Sequence, residues 1–311
     1  MHDTTFFWIF NAFVILLLVL DLCVLHRKAQ TIALREAILW SGFWILLAVL
    51  FAGGLYFLRG SQTAIEFATG YLIESLLSVD NLFVFIVIFS FFQVPREYEY
   101  RILFWGIIGA LITRGVFIFV GVALINAFAP FVEYLFGAFL IYTGYRLGRG
   151  GAHKIEPEKN IVLRVARRLL PVTNDNRGGR FFVRENGRMM VTPLLLVLLI
   201  IESTDVLFAT DSIPAILGVT RNVLVVYTSN IFSIMGLRAL YFALSGAISR
   251  FSLLKYGLSL ILVLIGIKML ANHFVAIPTW VTLVVVASVV AISVVASLAM
   301  EKSKRGESTA K

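Results

Sequence analysis

Five acidic side chains sit inside two otherwise apolar stretches of this chain. The first stretch, Ile73–Phe85, reads IESLLSVDNLFVF and carries Glu74 and Asp80, with Asn81 directly after the second acid. The second, Ile201–Ile216, reads IESTDVLFATDSIPAI and carries Glu202, Asp205 and Asp211, followed by Ser212. Aligned on the last acid of each, Glu74 matches Asp205, Asp80 matches Asp211 and Asn81 matches Ser212. Carboxylate, amide and hydroxyl oxygens are hard donors, which suit Mg²⁺, Ca²⁺ or Mn²⁺ better than copper or zinc. No histidine or cysteine pair lies in the apolar stretches. His2, His26, His153 and His273 are scattered, and the lone Cys23 excludes a disulfide framework or thiolate cluster. Neither a phosphate-binding glycine loop nor an HExxH is present, so the two simplest enzyme routes fall away. No catalytic residue and no required cofactor is expected.

A charge in hydrocarbon is costly and persists where it has a partner, water or a task. Three bases, Arg114, Arg238 and Lys268, lie in apolar segments beside the five acids. Two readings follow. The acids and bases form buried pairs, or the surplus carboxylate holds a cation, a proton or water. Helix geometry constrains the choice. Glu74 and Asn81 share a face, as do Asp205 and Ser212, whereas Glu74 and Asp80 stand ~120° apart. Glu202 and Asp211 fall on opposite faces of a straight helix, so all the acids reach one ion only if the helix breaks. Pro214 predicts such a break, which would also free carbonyl ligands. Asp80 and Asp211, the matched central acids, are expected at the heart of one site. Glu74 and Asp205 are expected as ligands or proton acceptors. Glu202 aligns with Tyr71 and either breaks the symmetry or pairs with Arg114 or Arg238. Thr113, Thr228, Ser229 and Asn230 could add ligands, but interhelical glue is the favoured reading for each. Asp21 and Glu133 are expected at interfaces.

The elements that position these groups follow from composition. Of 311 residues, 59% are hydrophobic and 14% charged, and the mean hydropathy is +0.92. Soluble domains carry about 25% charge, so a soluble enzyme, a disordered chain and a coiled coil are excluded. Nine segments are long enough to read as spans: Phe6–Leu25, Leu34–Leu58, Thr69–Phe92, Ile102–Ile125, Val132–Leu147, Pro193–Leu217, Val223–Leu244, Leu253–Leu270 and Ile277–Met300. Of 27 lysines and arginines, 22 fall in the odd-numbered links and the tail and two in the even-numbered links. That asymmetry predicts an outside N-terminus and a cytoplasmic C-terminus. The link 148–190 is the only sizeable soluble part. Within it Lys159–Leu170 reads as an amphipathic helix on the inner membrane surface or as an ordinary solvated basic linker, and Asp175–Gly179 predicts a turn. Nothing there resembles a nucleic-acid module, so membrane lipid and not nucleic acid is the expected partner, and the location of the charge says more than its net total of +9.

The two acidic stretches belong to a longer correspondence. Arg114 matches Arg238, and Gly144-Tyr145-Arg146 matches Gly266-Ile267-Lys268. Three anchors in one order predict two three-helix units, 69–147 and 193–270. Because three is odd, the second unit is inverted, a common plan of secondary transporters. The expected fold is an all-alpha polytopic membrane protein of nine transmembrane helices, one membrane domain over 1–311. Helices over 6–58 are peripheral to the repeats, 148–190 is a basic link, and a ninth helix covers 277–300.

The stretches ESLLSVDNLFVF, ESTDVLFATDSIPAI, TSNIFSIMGLRALYF, FGAFLIYTGYRL and LKYGLSLILVLIGIKML closely resemble the TerC/Alx family of bacterial membrane proteins, in the family's order and over most of the chain. That resemblance implies a cation exporter of the inner membrane, associated with manganese and historically with tellurium resistance. It implies a metal site drawn from Glu74, Asp80, Asn81, Glu202, Asp205, Asp211 and Ser212. A redox role once ascribed to the family finds no support in one cysteine and no flavin or haem motif. The expectation is Mn²⁺ export by alternating access with proton coupling, Ca²⁺ and Mg²⁺ being the other fitting ions. The competing class is a membrane scaffold or insertion factor for other envelope proteins.

Overall fold

The computed structural model describes residues 3–20, 34–149, 160–173, 175–185, 187–245, 253–272, 274–275 and 277–309. Asp21, Cys23 and all four histidines lie outside these residues. In chain order the helices are α1 (Asp3–Leu20), α2 (Leu34–Arg59), α3 (Ser61–Phe91), α4 (Arg96–Phe128), α5 (Phe131–Gly148), α6 (Ile161–Leu169), α7 (Pro193–Leu217), α8 (Val223–Leu244), α9 (Leu254–Ala271) and α10 (Thr279–Thr309). A β-hairpin, β1 (Phe182–Glu185) and β2 (Arg188–Val191), lies between α6 and α7.

Local chemistry sets the boundaries. Gly60, at φ +90°, makes the junction between α2 and α3, a backbone geometry that costs glycine little. Pro193 opens α7, where a missing N–H is harmless. Asn222 and Asn160 accept from the Leu224 and Leu163 amides and cap α8 and α6. The turn expected at Asp175–Gly179 is present as a short 3₁₀ segment, Arg177–Gly179, with left-handed Gly178 and Gly179.

Among the described residues seven helices are long and apolar enough to cross a bilayer: α2, α3, α4, α7, α8, α9 and the Thr279–Ser297 part of α10. The molecule is a polytopic helical membrane protein. Helix α1 is apolar but short, and α5, with Glu133 and Arg146 in its end turns, falls below the same measure.

The bundle is built from a few intimate pairs. Helix α5 packs most extensively on α9, α3 on α8, and α4 on α7. Glycines let α5 and α9 touch backbone to backbone. A Cβ on Gly137 would stand 3.0 Å from the Gly266 carbonyl, and one on Gly144 would stand 2.7 Å from the Ser259 carbonyl. Ser259 Oγ donates to the Gly144 carbonyl at 2.6 Å across the same seam.

One expectation changes. Helix α7 runs unbroken through Pro214. The proline lies near the C-terminal end of the helix, where losing one amide does not outweigh the packing of fully buried Ala215 and Ile216. The expected amphipathic helix is present as α6, and one of its faces packs lengthwise along α7. Asn160 Nδ2 donates to Ser203 Oγ at 2.9 Å at one end, and Val172 bridges to Val191 beyond the other. Its Leu163 and Ala166 are buried in the same core as Leu194, Val197 and Ile201.

Candidate cation site and a buried arginine network

Continuity of α7 decides where its acids point. Successive residues turn ~100° on a helix, so Glu202, Asp205 and Asp211 must serve different neighbours. Helix α3 separates Glu74 from Asp80 in the same way.

One group of acids converges on Arg114 of α4. Glu74, Arg114 and Asp205 are 0%, 1% and 3% exposed. The guanidinium pairs with Glu74 through Nη1. It donates to Asp205 twice, from Nη2 to Oδ1 at 2.9 Å and from Nε to Oδ2 at 3.2 Å. Nη1 also donates to Asn230 Oδ1 of α8 at 3.4 Å. The planar fork of arginine suits this two-point grip, and the network ties α3, α4, α7 and α8 together. Arg238, which the repeat matches to Arg114, is buried and places its guanidinium 4.4 Å from the centre of the Tyr100 ring.

The other group lines a cavity of ≈180 Å³ between α3, α5, α7 and α9. Asp80 and Asn81 come from α3, and Asp211 and Ser212 from α7, so the two matched motif ends line one cavity. Thr143 and Arg146 of α5 also line it, and Thr143 Oγ1 donates to Asp211 Oδ1 at 3.4 Å. Ser212 Oγ is buried with no hydrogen-bond partner among the described residues. Thr210 lines the cavity too, and Pro214 cannot supply its carbonyl with the usual i+4 amide donor. Tyr142 lines it as well, and the rest of the lining is apolar, with Leu77, Phe139, Leu258 and Leu262 among its residues. Among the described residues no three or more His, Cys, Asp or Glu side chains stand close enough to hold a metal by themselves. A bound ion would therefore draw on amide, hydroxyl, carbonyl or water oxygens as well as the two carboxylates.

The predicted residues thus divide. Asp80, Asn81, Asp211 and Ser212 share the cavity, while Glu74, Asp205, Arg114 and Asn230 share the network. Glu202 stands in neither group. Its carboxylate lies against Gly109 of α4, where it leaves no room for a Cβ. Glu133, expected at an interface, is buried in the first turn of α5 and paired with Arg221. Thr113, Thr228 and Ser229 donate to carbonyls of their own helices. Sequence reasoning missed Thr143 as a cavity residue and used Arg146 only as a repeat anchor. A lone threonine three residues before an arginine in an apolar helix was the available signal.

Comparison with known proteins places this arrangement in a family. Residues 59–305 match the model described as Integral membrane protein TerC family. A Myxococcus xanthus protein named Uncharacterized membrane protein STKORF319 is 49% identical over 289 residues, covering 93% of this chain and 90% of its own. An uncharacterized membrane protein of Rickettsia felis is 40% identical over 93% of this chain and 96% of its own. The Escherichia coli (strain K12) protein provisionally named membrane-bound redox modulator Alx is 43% identical over 89% of each chain. No solved structure matches. With most of its length matched and all of its spanning helices after α2 included, the chain belongs to the TerC family of integral membrane proteins.

Proposed function

We propose that the protein exports a divalent cation, Mn²⁺ above all, across the bacterial inner membrane by alternating access. The observation that carries this reading is the shared cavity. Two carboxylates from equivalent places in the two acidic motifs, Asp80 and Asp211, line it with Asn81, Ser212 and Thr143. Oxygen donors of this kind suit a hard cation, and one carboxylate on each side lets two moving halves share the ion. The unpartnered hydroxyl of Ser212 adds a donor atom that a ligand would satisfy. Arg146 lines the same cavity and brings one positive charge to it.

The repeat gives the movement its frame. We read α3–α5 and α7–α9 as two units of opposite orientation within nine spans, α1 and α5 included. The packing supports this, because exchanging the units turns α3–α8 into α7–α4 and leaves α5–α9 unchanged, and these are the three most extensive contacts between membrane helices. The α5–α9 seam repeats the pattern in detail. Aligning Gly144 with Gly266 pairs Gly137 with Ser259, and the close approaches are Gly137 to Gly266 and Gly144 to Ser259. Arg146, Leu147 and Leu258 line the cavity at helix ends that the basic-residue asymmetry assigns to the cytoplasm. Moving two positive charges outward opposes an inside-negative potential, so export requires coupling, and carboxylate protonation supplies it without a further cofactor.

Calorimetry of Mn²⁺ on folded Asp80→Asn and Asp211→Asn proteins tests the site. Each should bind at least about tenfold more weakly, a loss of about 1.4 kcal/mol. Binding equal to the parent would leave the aspartates with a structural role only. Topology has its own test. A cysteine at Asn126 or Asn272 should label from outside sealed cells, and one at Lys154 should not.

A further inference from the structure

Helix α6 has three faces where a helix packed on a soluble core has two. At ~100° per residue, Leu163 and Ala166 form one face, Ile161, Val162, Val165 and Leu169 a second, and Arg164, Arg167 and Arg168 a third. The first face is buried against α7. The second is open, with Ile161 73%, Val165 46% and Leu169 75% exposed. The third is exposed as well. An open apolar face beside an open basic face is the pattern of a helix held at a membrane interface.

The contacts of α6 fix its height. Asn160 bonds to Ser203, ten residues along α7 from Pro193, while the chain after α6 pairs with Val191 just before α7 begins. At 1.5 Å per residue, α6 therefore runs antiparallel along roughly the first 15 Å of α7. Residues of α7 over this length are apolar, Pro193 to Ile201 being PLLLVLLII. A helix beside them places its open apolar face among acyl chains. Its arginines can then extend toward the phosphates at the near edge of the bilayer.

We infer that the Arg164, Arg167 and Arg168 face of α6 binds the headgroup phosphate of an anionic phospholipid in the leaflet where α7 begins, with Ile161, Val165 and Leu169 against its acyl chains. Three guanidiniums on one short face complement a phosphate, and charged attraction to anionic lipid adds over neighbouring arginines. The inference takes from the function above only that α7 enters the membrane at Pro193. It does not depend on cation transport.

Purified full-length protein provides the test, with phosphatidylglycerol retention read by native mass spectrometry. Binding to vesicles of phosphatidylcholine with and without phosphatidylglycerol gives the second reading. The parent should retain phosphatidylglycerol in preference to phosphatidylcholine. The variant R164Q/R167Q/R168Q should bind it at least about tenfold more weakly. R164K/R167K/R168K should retain most of the binding, which separates charge from lost packing. As a control of equal charge change, R180Q/R184Q/R188Q alters the exposed arginines of the hairpin region and should bind as the parent does. Helical circular dichroism establishes that each variant is folded. Parent-like retention by the α6 glutamine variant, or equal loss in both glutamine variants, overturns the proposal. Mn²⁺ calorimetry on the same proteins is expected to be unchanged, so failure here is distinct from failure of the cation site.

Discussion

The cavity and the Arg114 network use the same kinds of residue to opposite ends. Each takes one acid from α3 and its repeat-matched acid from α7. In the network, Glu74 and Asp205 close on one guanidinium with no space between them. In the cavity, Asp80 and Asp211 line a volume of ≈180 Å³ alongside the buried Ser212 hydroxyl, which has no hydrogen-bond partner among the described residues. On each helix the network acid and the cavity acid stand six positions apart, Glu74 and Asp80 on α3 and Asp205 and Asp211 on α7, which turns them ~120° apart and presents them to different neighbours. The lesson is that carboxylates inside a membrane helix are not one class. A carboxylate gripped at two points by arginine is spent on cohesion, and one that lines a cavity stands where a ligand can reach it.

The largest expected effect tests the network. Replacing Arg114 with methionine leaves Glu74 and Asp205 buried without their cation, and stability should fall by roughly 3–5 kcal/mol. Unfolding of the detergent-solubilised protein by denaturant measures this. A change below about 1 kcal/mol would mean that the network is not what holds α3, α4 and α7 together.

The cavity wall is tested by Gly144→Ala. The new methyl would meet the Ser259 carbonyl at 2.7 Å, a backbone atom that cannot swing aside. Helices α5 and α9 must separate, at a cost of about 1–3 kcal/mol, while the Arg114 network on other helices is untouched. Mn²⁺ affinity should fall along with stability, because both helices line the cavity. Unchanged affinity in a destabilised protein would detach the site from the α5–α9 seam.

A sharper contrast comes from Asp80→Asn, which should cost about tenfold in Mn²⁺ affinity but less than about 1 kcal/mol in stability. Glu74→Gln should do the reverse, losing stability with little loss of affinity. Measured together, the pair of variants either separates the two regions or merges them.

Ser212→Ala is the smallest effect. Removing an unpartnered hydroxyl should leave stability within about 0.5 kcal/mol of the parent. Mn²⁺ affinity should drop by a few-fold, on the order of one neutral oxygen contact. Calorimetry showing no change would remove Ser212 from the ligand set.

Much of this architecture is legible in the residues themselves. Apolar segment lengths located the seven described helices that are long and apolar enough to cross a bilayer, because backbone groups in lipid must bond within their own segment. The spacing of Glu202 and Asp211 already excluded a single shared ion on an unbroken helix, and α7 is continuous from Pro193 to Leu217. Pro214 misled because the weight of a proline depends on its surroundings. Near a helix end and deep in packed core, one missing amide does not decide the backbone. The sequence also could not reveal that α6 lies along α7, since its amphipathic pattern fits a bilayer surface as well as a protein flank.

By itself the sequence determined the helical membrane class, the places of the helices, the charge asymmetry across them and the existence of matched acids. These depend on local composition and on fixed helix periodicity. Only the tertiary structure decided which matched pair meets Arg114 and which lines the cavity. That choice rests on how each helix is rotated and how far it is shifted against its neighbours. Packing of Gly137 on Gly266 and of Gly144 on Ser259 sets such shifts through contacts more than a hundred residues apart, which no local pattern encodes.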